Sequence, residues 1–300
     1  MAEETIADRL DLLCERRLFR TDADLHRRFR DSVFSIDRLL ANYKHIFPFY
    51  TDHTFEHSEQ VIRYCNIIAG EKIIEALNPG EIYILLMGAS LHDVGMGISE
   101  SNFTEFAPLV PGLRSYMELH AGQTREEYTR VFHQEFSACF IRKYRALLDL
   151  PSEEYVHGII QTAKGHRKAD LLDLSEYPTD FPLPNGRTAN LAYLAALVKL
   201  ADELDITADR NLLFDYNTVD ENWSEEQKMC YQCHGAIRRL EVREDELVLL
   251  YHTDSSAVAE EILHTRSKVE RTFAEYCAVT AQRTPFSNRI KRVLFEATDR

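Results

Sequence analysis

Apolar residues recur at spacings of three and four over most of the chain, the pattern of helices with one buried face. Between about 22 and 47 they are Leu25, Phe29, Val33, Ile36, Leu40 and Tyr43, which predicts one long amphipathic helix. From about 57 to 69, Val61, Ile62, Cys65 and Ile68 mark a second such face. Asn78-Pro79 starts a further helix, because proline suits a first helical turn. Its residues Ile82, Tyr83, Ile84, Leu85, Leu86, Met87, Ala89 and Leu91 are apolar almost all round. That pattern predicts a helix at the centre of the fold. Gly95 and Gly97 predict its end near His92-Asp93.

Residues 99–124 carry Pro108, Pro111, Gly112 and Gly122 with weak periodicity, which predicts a long loop or partly ordered lid. Helices resume over about 125–147 and 153–166. Pro178, Pro182 and Pro184 then forbid a helix, and a strong helix follows over about 188–206. The texture changes after that. Residues 237–243 and 246–252 alternate through Leu240, Val242, Leu247, Leu249 and Tyr251 about Glu244-Asp245, which predicts a β-hairpin. A helix over about 256–281 ends the pattern. The expected architecture is mainly α: an N-terminal helix over 1–21, a helical body over 22–210, and a small C-terminal α+β subdomain over 211–300 containing the hairpin.

Composition narrows the function classes. The 300 residues are 45% hydrophobic and 28% charged, which excludes a disordered chain, a collagen or a disulfide miniprotein. The formal net charge of −14 argues against duplex nucleic acid held through its phosphates. A polyanionic small substrate stays open where a metal cluster supplies local positive charge. Residues 1–10 are acidic with no apolar core, and no apolar run nears the roughly 20 residues of a membrane span. No membrane association and a cytoplasmic location are therefore expected. The six cysteines (14, 65, 139, 230, 233 and 277) are expected to be reduced thiols.

The candidate chemistry is a set of histidines and aspartates spread over several helices. His57 opens one apolar-faced helix, and His92-Asp93 closes the most buried one. His133 precedes Phe136 and Phe140, His166 ends the helix containing Ile159 and Ile160, and Asp202 lies in an apolar stretch from Leu197 to Ile206. A single histidine beside an apolar face is ordinarily a satisfied core or surface residue. Several together are costly to bury unless something common satisfies them. A metal does so, and imidazole with carboxylate suits Fe, Mn, Ni, Co or Zn better than Ca. The spacing of these residues is long-range, so periodicity alone does not assemble them.

The segments Thr51-Asp-His-Thr-Phe-Glu-His-Ser-Glu-Gln-Val61, Ser90-Leu-His-Asp-Val-Gly-Met96 and Leu200-Ala-Asp-Glu-Leu-Asp205 resemble the HD-domain superfamily of metal-dependent phosphohydrolases. The resemblance spans about residues 40–210. Its start and end look like the bacterial branch named for cyclase-effector or stand-alone HD proteins. It implies an HD-type helical bundle in which His57, His92, Asp93 and Asp202 hold one metal. Asp93, as a bridge, His133 and His166 hold a second. The implied cofactors are two divalent transition metal ions, with Mg an alternative. The implied reaction is hydrolysis of a phosphomonoester or phosphodiester, of nucleotide type, by a metal-bridged hydroxide. A di-iron oxygenase using the same ligands and a nucleotide-sensing regulatory module are the alternatives. A homo-oligomer or protein partner could use the C-terminal subdomain.

Other residues carry lesser expectations. Met96 stands where the related HD-GYP group often has lysine, and there is no GYP element, which counts against that group's cyclic-dinucleotide route. Lys164 and Arg167 around His166 are the candidate phosphate contacts, with Arg125 on the lid side. Lys199, one turn before Asp202, either pairs with that carboxylate or points at substrate. Glu56 and Asp205 are candidates for orienting histidines. His53 and His120 are candidate proton donors rather than ligands. Cys230-Tyr-Gln-Cys233-His234 fits the spacing of covalent haem attachment, but it lacks an export signal and a second ligand pair, and is set aside.

Overall fold

Helices dominate a computed structural model that describes residues 12–41, 43–46, 54–208 and 224–299. The expected domain boundary near 210, residues 1–11 of the expected first helix, and His53 lie outside the described residues. In chain order the helices are α1 (Leu13–Thr21), α2 (Ala23–Leu40), α3 (Tyr43–Ile46), α4 (Phe55–Ala76), α5 (Pro79–Leu91), α6 (Glu100–Phe106), α7 (Leu113–Leu119), α8 (Arg125–Lys143), α9 (Glu153–Lys164), α10 (Leu191–Leu204), α11 (Glu225–Ala236) and α12 (Ser256–Arg283). Among the described residues there are also five short strands: β1 (Phe181–Pro182), β2 (Thr188–Ala189), β3 (Ile237–Arg243), β4 (Glu246–Tyr251) and β5 (Arg292–Ala297).

The apolar helix α5 lies at the centre, as its pattern predicts. Almost every residue from Gly80 to Leu91 is buried, and α2, α4, α9 and α10 pack around it. Among the described residues no single helix is long and apolar enough to cross a membrane. Asn78 starts α5 through a capping box. Its side chain accepts from Gly80 N–H and Glu81 N–H, and Glu81 accepts from Asn78 N–H at 3.0 Å. The other Glu81 oxygen accepts from Asn190 N–H, just before α10, at 3.1 Å. The two helices therefore start from one junction and run side by side. From there, roughly 20 Å of helix reaches His92-Asp93 along α5, and roughly 17 Å reaches Asp202 along α10. Local capping chemistry thus sets the level at which His92, Asp93 and Asp202 meet. On another side, α9 crosses α5 closely because Gly88 and Gly158 carry no side chains. A Cβ at Gly88 would come within 2.7 Å of Thr162, and one at Gly158 within 2.8 Å of Ile84. That approach brings the end of α9, with His166, beside the end of α5.

Several expectations need correction. The helix expected over 22–47 stops at Leu40, with α3 a separate turn. The helix from Phe55 runs on to Ala76, but it breaks at Gly70, whose φ of 69° is left-handed. The stretch 99–124 is not a loop: Ser99 caps α6 through Asn102 N–H, and Gly112, at φ 76°, precedes α7. Those helices are each seven residues, too short to display a periodicity.

Towards the C-terminus the hairpin forms as predicted, β3 pairing antiparallel with β4. Strand β5 adds in parallel to β4, with Leu249 opposite Phe295. Neither β5 nor α11 was foreseen. The helix α12 lies along α10, and Lys199 reaches Glu275 on it at 2.8 Å. The C-terminal elements are therefore docked on the helix that carries Asp202.

Candidate metal centre

The six residues singled out in the sequence meet at one place. His92 and Asp93 follow the last turn of α5, and Asp202 lies in the last turn of α10. His166 follows the end of α9. Each helix end presents carbonyl oxygens and the negative end of its dipole, which favour a cation. His133 lies within α8, immediately after a non-helical residue, Phe132. His57 lies in the first turn of α4. All are buried except Asp202, whose side chain is 20% exposed and marks the open side.

The donors fall into two groups. His57, His92 and Asp202 form one, and Asp93, His133 and His166 the other. Asp93 faces both. Its Oδ2 lies 3.6 Å from His57 Nε2 and 3.4 Å from His92 Nε2. Its Oδ1 lies 3.2 Å from His133 Nε2 and 3.6 Å from His166 Nε2. Asp202 Oδ1 completes the first group, 3.2 Å from His57 Nε2 and 3.7 Å from His92 Nε2.

Hydrogen bonds fix which ring nitrogen points inward. Nδ1 of His92, His133 and His166 donates to the carbonyls of Ala89, Arg130 and Ala163. A carbonyl only accepts, so these Nδ1 atoms carry protons, and Nε2 of each ring is the nitrogen left to face the centre. His57 Nδ1 instead faces Asp205 Oδ2 at 2.5 Å. The inward nitrogens approach closely: His57 Nε2 to His92 Nε2 at 3.1 Å, and His133 Nε2 to His166 Nε2 at 2.9 Å. Nitrogens that close need positive charge between them, a proton or a metal cation. The donor set therefore fits divalent cations.

The ionisation of the cluster points the same way. Burial and the neighbouring His92 and His133 push His166 down to about 3, so its ring is neutral. Burial also works to deprotonate His92, but Asp93 and Asp202 win and hold its pKa well above the ordinary range. Asp202 is the converse. Burial favours its neutral form, yet hydrogen bonds from His57 and His92 keep it well below the usual carboxylate range. The centre stabilises positive charge between its carboxylates.

Ser137, which the sequence reading missed, joins the parts. Its hydroxyl donates to His92 C=O and accepts from Gly95 N–H, both at 2.8 Å. Its one sequence signal is its place four residues after His133, on the same helix face. Gly95 permits this contact, since a Cβ there would come within 2.1 Å of His133 C=O.

The remaining candidates scatter. Lys164 is ion-paired with Glu135 at 3.0 Å, and Arg167 is exposed. Arg125 pairs with Glu126 at 2.7 Å. Lys199 pairs with Glu275 rather than with Asp202, and does not point into the centre. Glu56 is exposed, whereas Asp205 is buried with Oδ2 against His57 Nδ1. His120 is exposed and stacks on Tyr116. Met96 is buried against Tyr43 in the turn after α5. Cys230 is exposed beside His234, while Cys233 is buried against Thr265. All six cysteines are free thiols.

A family model described as HD-CE matches residues 47–283. The match extends well beyond the 40–210 expected from the motifs, and it includes the hairpin and α12. No curated protein matches the chain.

Proposed function

The chain belongs to the HD-CE family, and on that premise we propose that it is a metal-dependent phosphohydrolase acting on a phosphomonoester or phosphodiester of nucleotide type. The carrying observation is the placement of Asp93, whose two oxygens face two separate sets of imidazole nitrogens. His57, His92, Asp93 and Asp202 would hold one divalent cation, and Asp93, His133 and His166 a second. Such a pair acidifies water and neutralises charge on a phosphoryl oxygen.

The chain's own residues define the rest. Asp93 holds the two donor sets in one register. Asp202, the partly exposed ligand, marks the side from which substrate arrives. Two divalent cations against two ligand carboxylates leave net positive charge, in a chain whose overall charge is −14. That excess suits an anionic substrate. Lys164 and Arg167, which flank His166, are the proposed phosphate contacts, and Lys164 would exchange Glu135 for substrate.

The test is release of phosphate or alcohol from a panel of nucleotides and generic phosphate esters, with protein loaded separately with Mn, Fe, Ni, Co or Zn. Hydrolysis that disappears in Asp93→Ala supports the reading. Metal-loaded protein that hydrolyses none of them contradicts it, and oxygen uptake by the iron form alone would point to oxygenase chemistry instead.

A further inference from the structure

Three of the four histidines in the centre are held by one device. Nδ1 of His92, His133 and His166 donates to the carbonyl three residues back. Ala89 and Ala163 lie in the last turns of α5 and α9, where a helix runs out of N–H partners for its carbonyls. Arg130 lies beside the break in α8 at Phe132. His57 is placed where that device does not work. A first turn has spare N–H groups rather than spare carbonyls. The carbonyl three residues back, of Thr54, accepts His57's own backbone N–H at 3.1 Å. The start of α4 is also the positive end of its dipole, which opposes a cation.

Asp205 answers both difficulties. It is the C-cap of α10, three residues after Asp202, and only 3% exposed. Its Oδ2 accepts from His57 Nδ1 at 2.5 Å. We infer that Asp205 is the positioning residue of the centre: its carboxylate fixes the His57 ring with Nε2 inward and, through that hydrogen bond, makes the ring a stronger donor where the start of α4 would weaken it. One turn of α10 thus supplies a ligand, Asp202, and the support for a ligand on another helix. The inference rests on the metal-centre reading above and adds a selective consequence. Loss of Asp205 weakens the half containing His57 and leaves the His133–His166 half largely intact.

The experiment is competition calorimetry with Mn or Zn on the full chain, comparing wild type, Asp205→Ala, Asp205→Asn, His57→Ala and the double variant Asp205→Ala with His57→Ala. Unfolding midpoints of the chelated proteins serve as the fold control. Asp205→Ala is expected to weaken one of the two binding events about 100-fold. Asp205→Asn, which still accepts from Nδ1 but lacks the charge, should weaken it about 10-fold. The double variant should bind no more weakly than His57→Ala, because Asp205 acts through His57. Undiminished affinity in Asp205→Ala overturns the inference, as does an additive loss in the double variant. If Asp205→Ala does not fold, undiminished affinity in Asp205→Asn overturns it. A wild-type protein that binds no metal removes the metal-centre reading and this inference together. A wild type that binds two, with both Asp205 variants unchanged, removes this inference alone.

Discussion

The two halves of the centre use the same residue types on different supports. The half made by His57, His92 and Asp202 stands at the ends of α4, α5 and α10, with α5 and α10 joined at their starts through Glu81 and Asn190. It faces two carboxylates, Asp93 and Asp202, and has Asp205 behind His57. The half made by His133 and His166 hangs on α8 and α9 and faces one carboxylate oxygen, from Asp93. A cation in the first half would be well neutralised. One in the second would keep more of its charge and have more to gain from an anionic ligand. The difference teaches that a similar inventory of side chains does not make a symmetric site.

The sharpest way to break the comparison is to remove what the halves share. Asp93→Ala should reduce metal content from about two per chain to none, by elemental mass spectrometry. Removing one histidine from each half should separate them. A chelator concentration that empties His57→Ala should leave about one metal in His166→Ala. The reverse order would invert the assignment of the tighter half. A subtler change moves the halves apart. Gly95→Ala should drive α8 away from Asp93, lose the second metal first, and destabilise the metal-free protein by roughly 3 kcal/mol in denaturant unfolding. The smallest effect is a control. Lys199→Ala breaks a pair with Glu275 outside both halves. It should cost about 0.5 kcal/mol of stability and leave both metal affinities unchanged.

The sequence carried the helices that have a long periodic face, whereas a cap alone, as at Ser99 before α6 or Ser224 before α11, did not announce one. Asn78-Pro79, Gly95 and the apolar run between them locate α5 and its end within a residue or two. It failed where elements are short or depend on distant partners. The seven-residue α6 and α7 complete only two turns each, and proline and glycine around them read as loop. Strand β5 exists because β4 offers it a parallel edge, which no local pattern announces. The six clustered residues were named from the family's motif order, since 35 to 148 positions separate His57 from the His92 and Asp205 it touches. Lys199 was misplaced for a related reason. Helical spacing brings it near Asp202, whereas α12, packed along α10, supplies Glu275 as its partner. Ser137 and Gly95 matter through a three-way contact that only the fold creates.

The central claim is that one carboxylate joins two metal positions. Anomalous diffraction from a Mn- or Zn-loaded crystal tests it directly. Two peaks about 3.5–4 Å apart, one on the Oδ2 side of Asp93 beside His57 and His92 and one on the Oδ1 side beside His133 and His166, are the expected result. A single peak, or two peaks that do not flank Asp93, would contradict it.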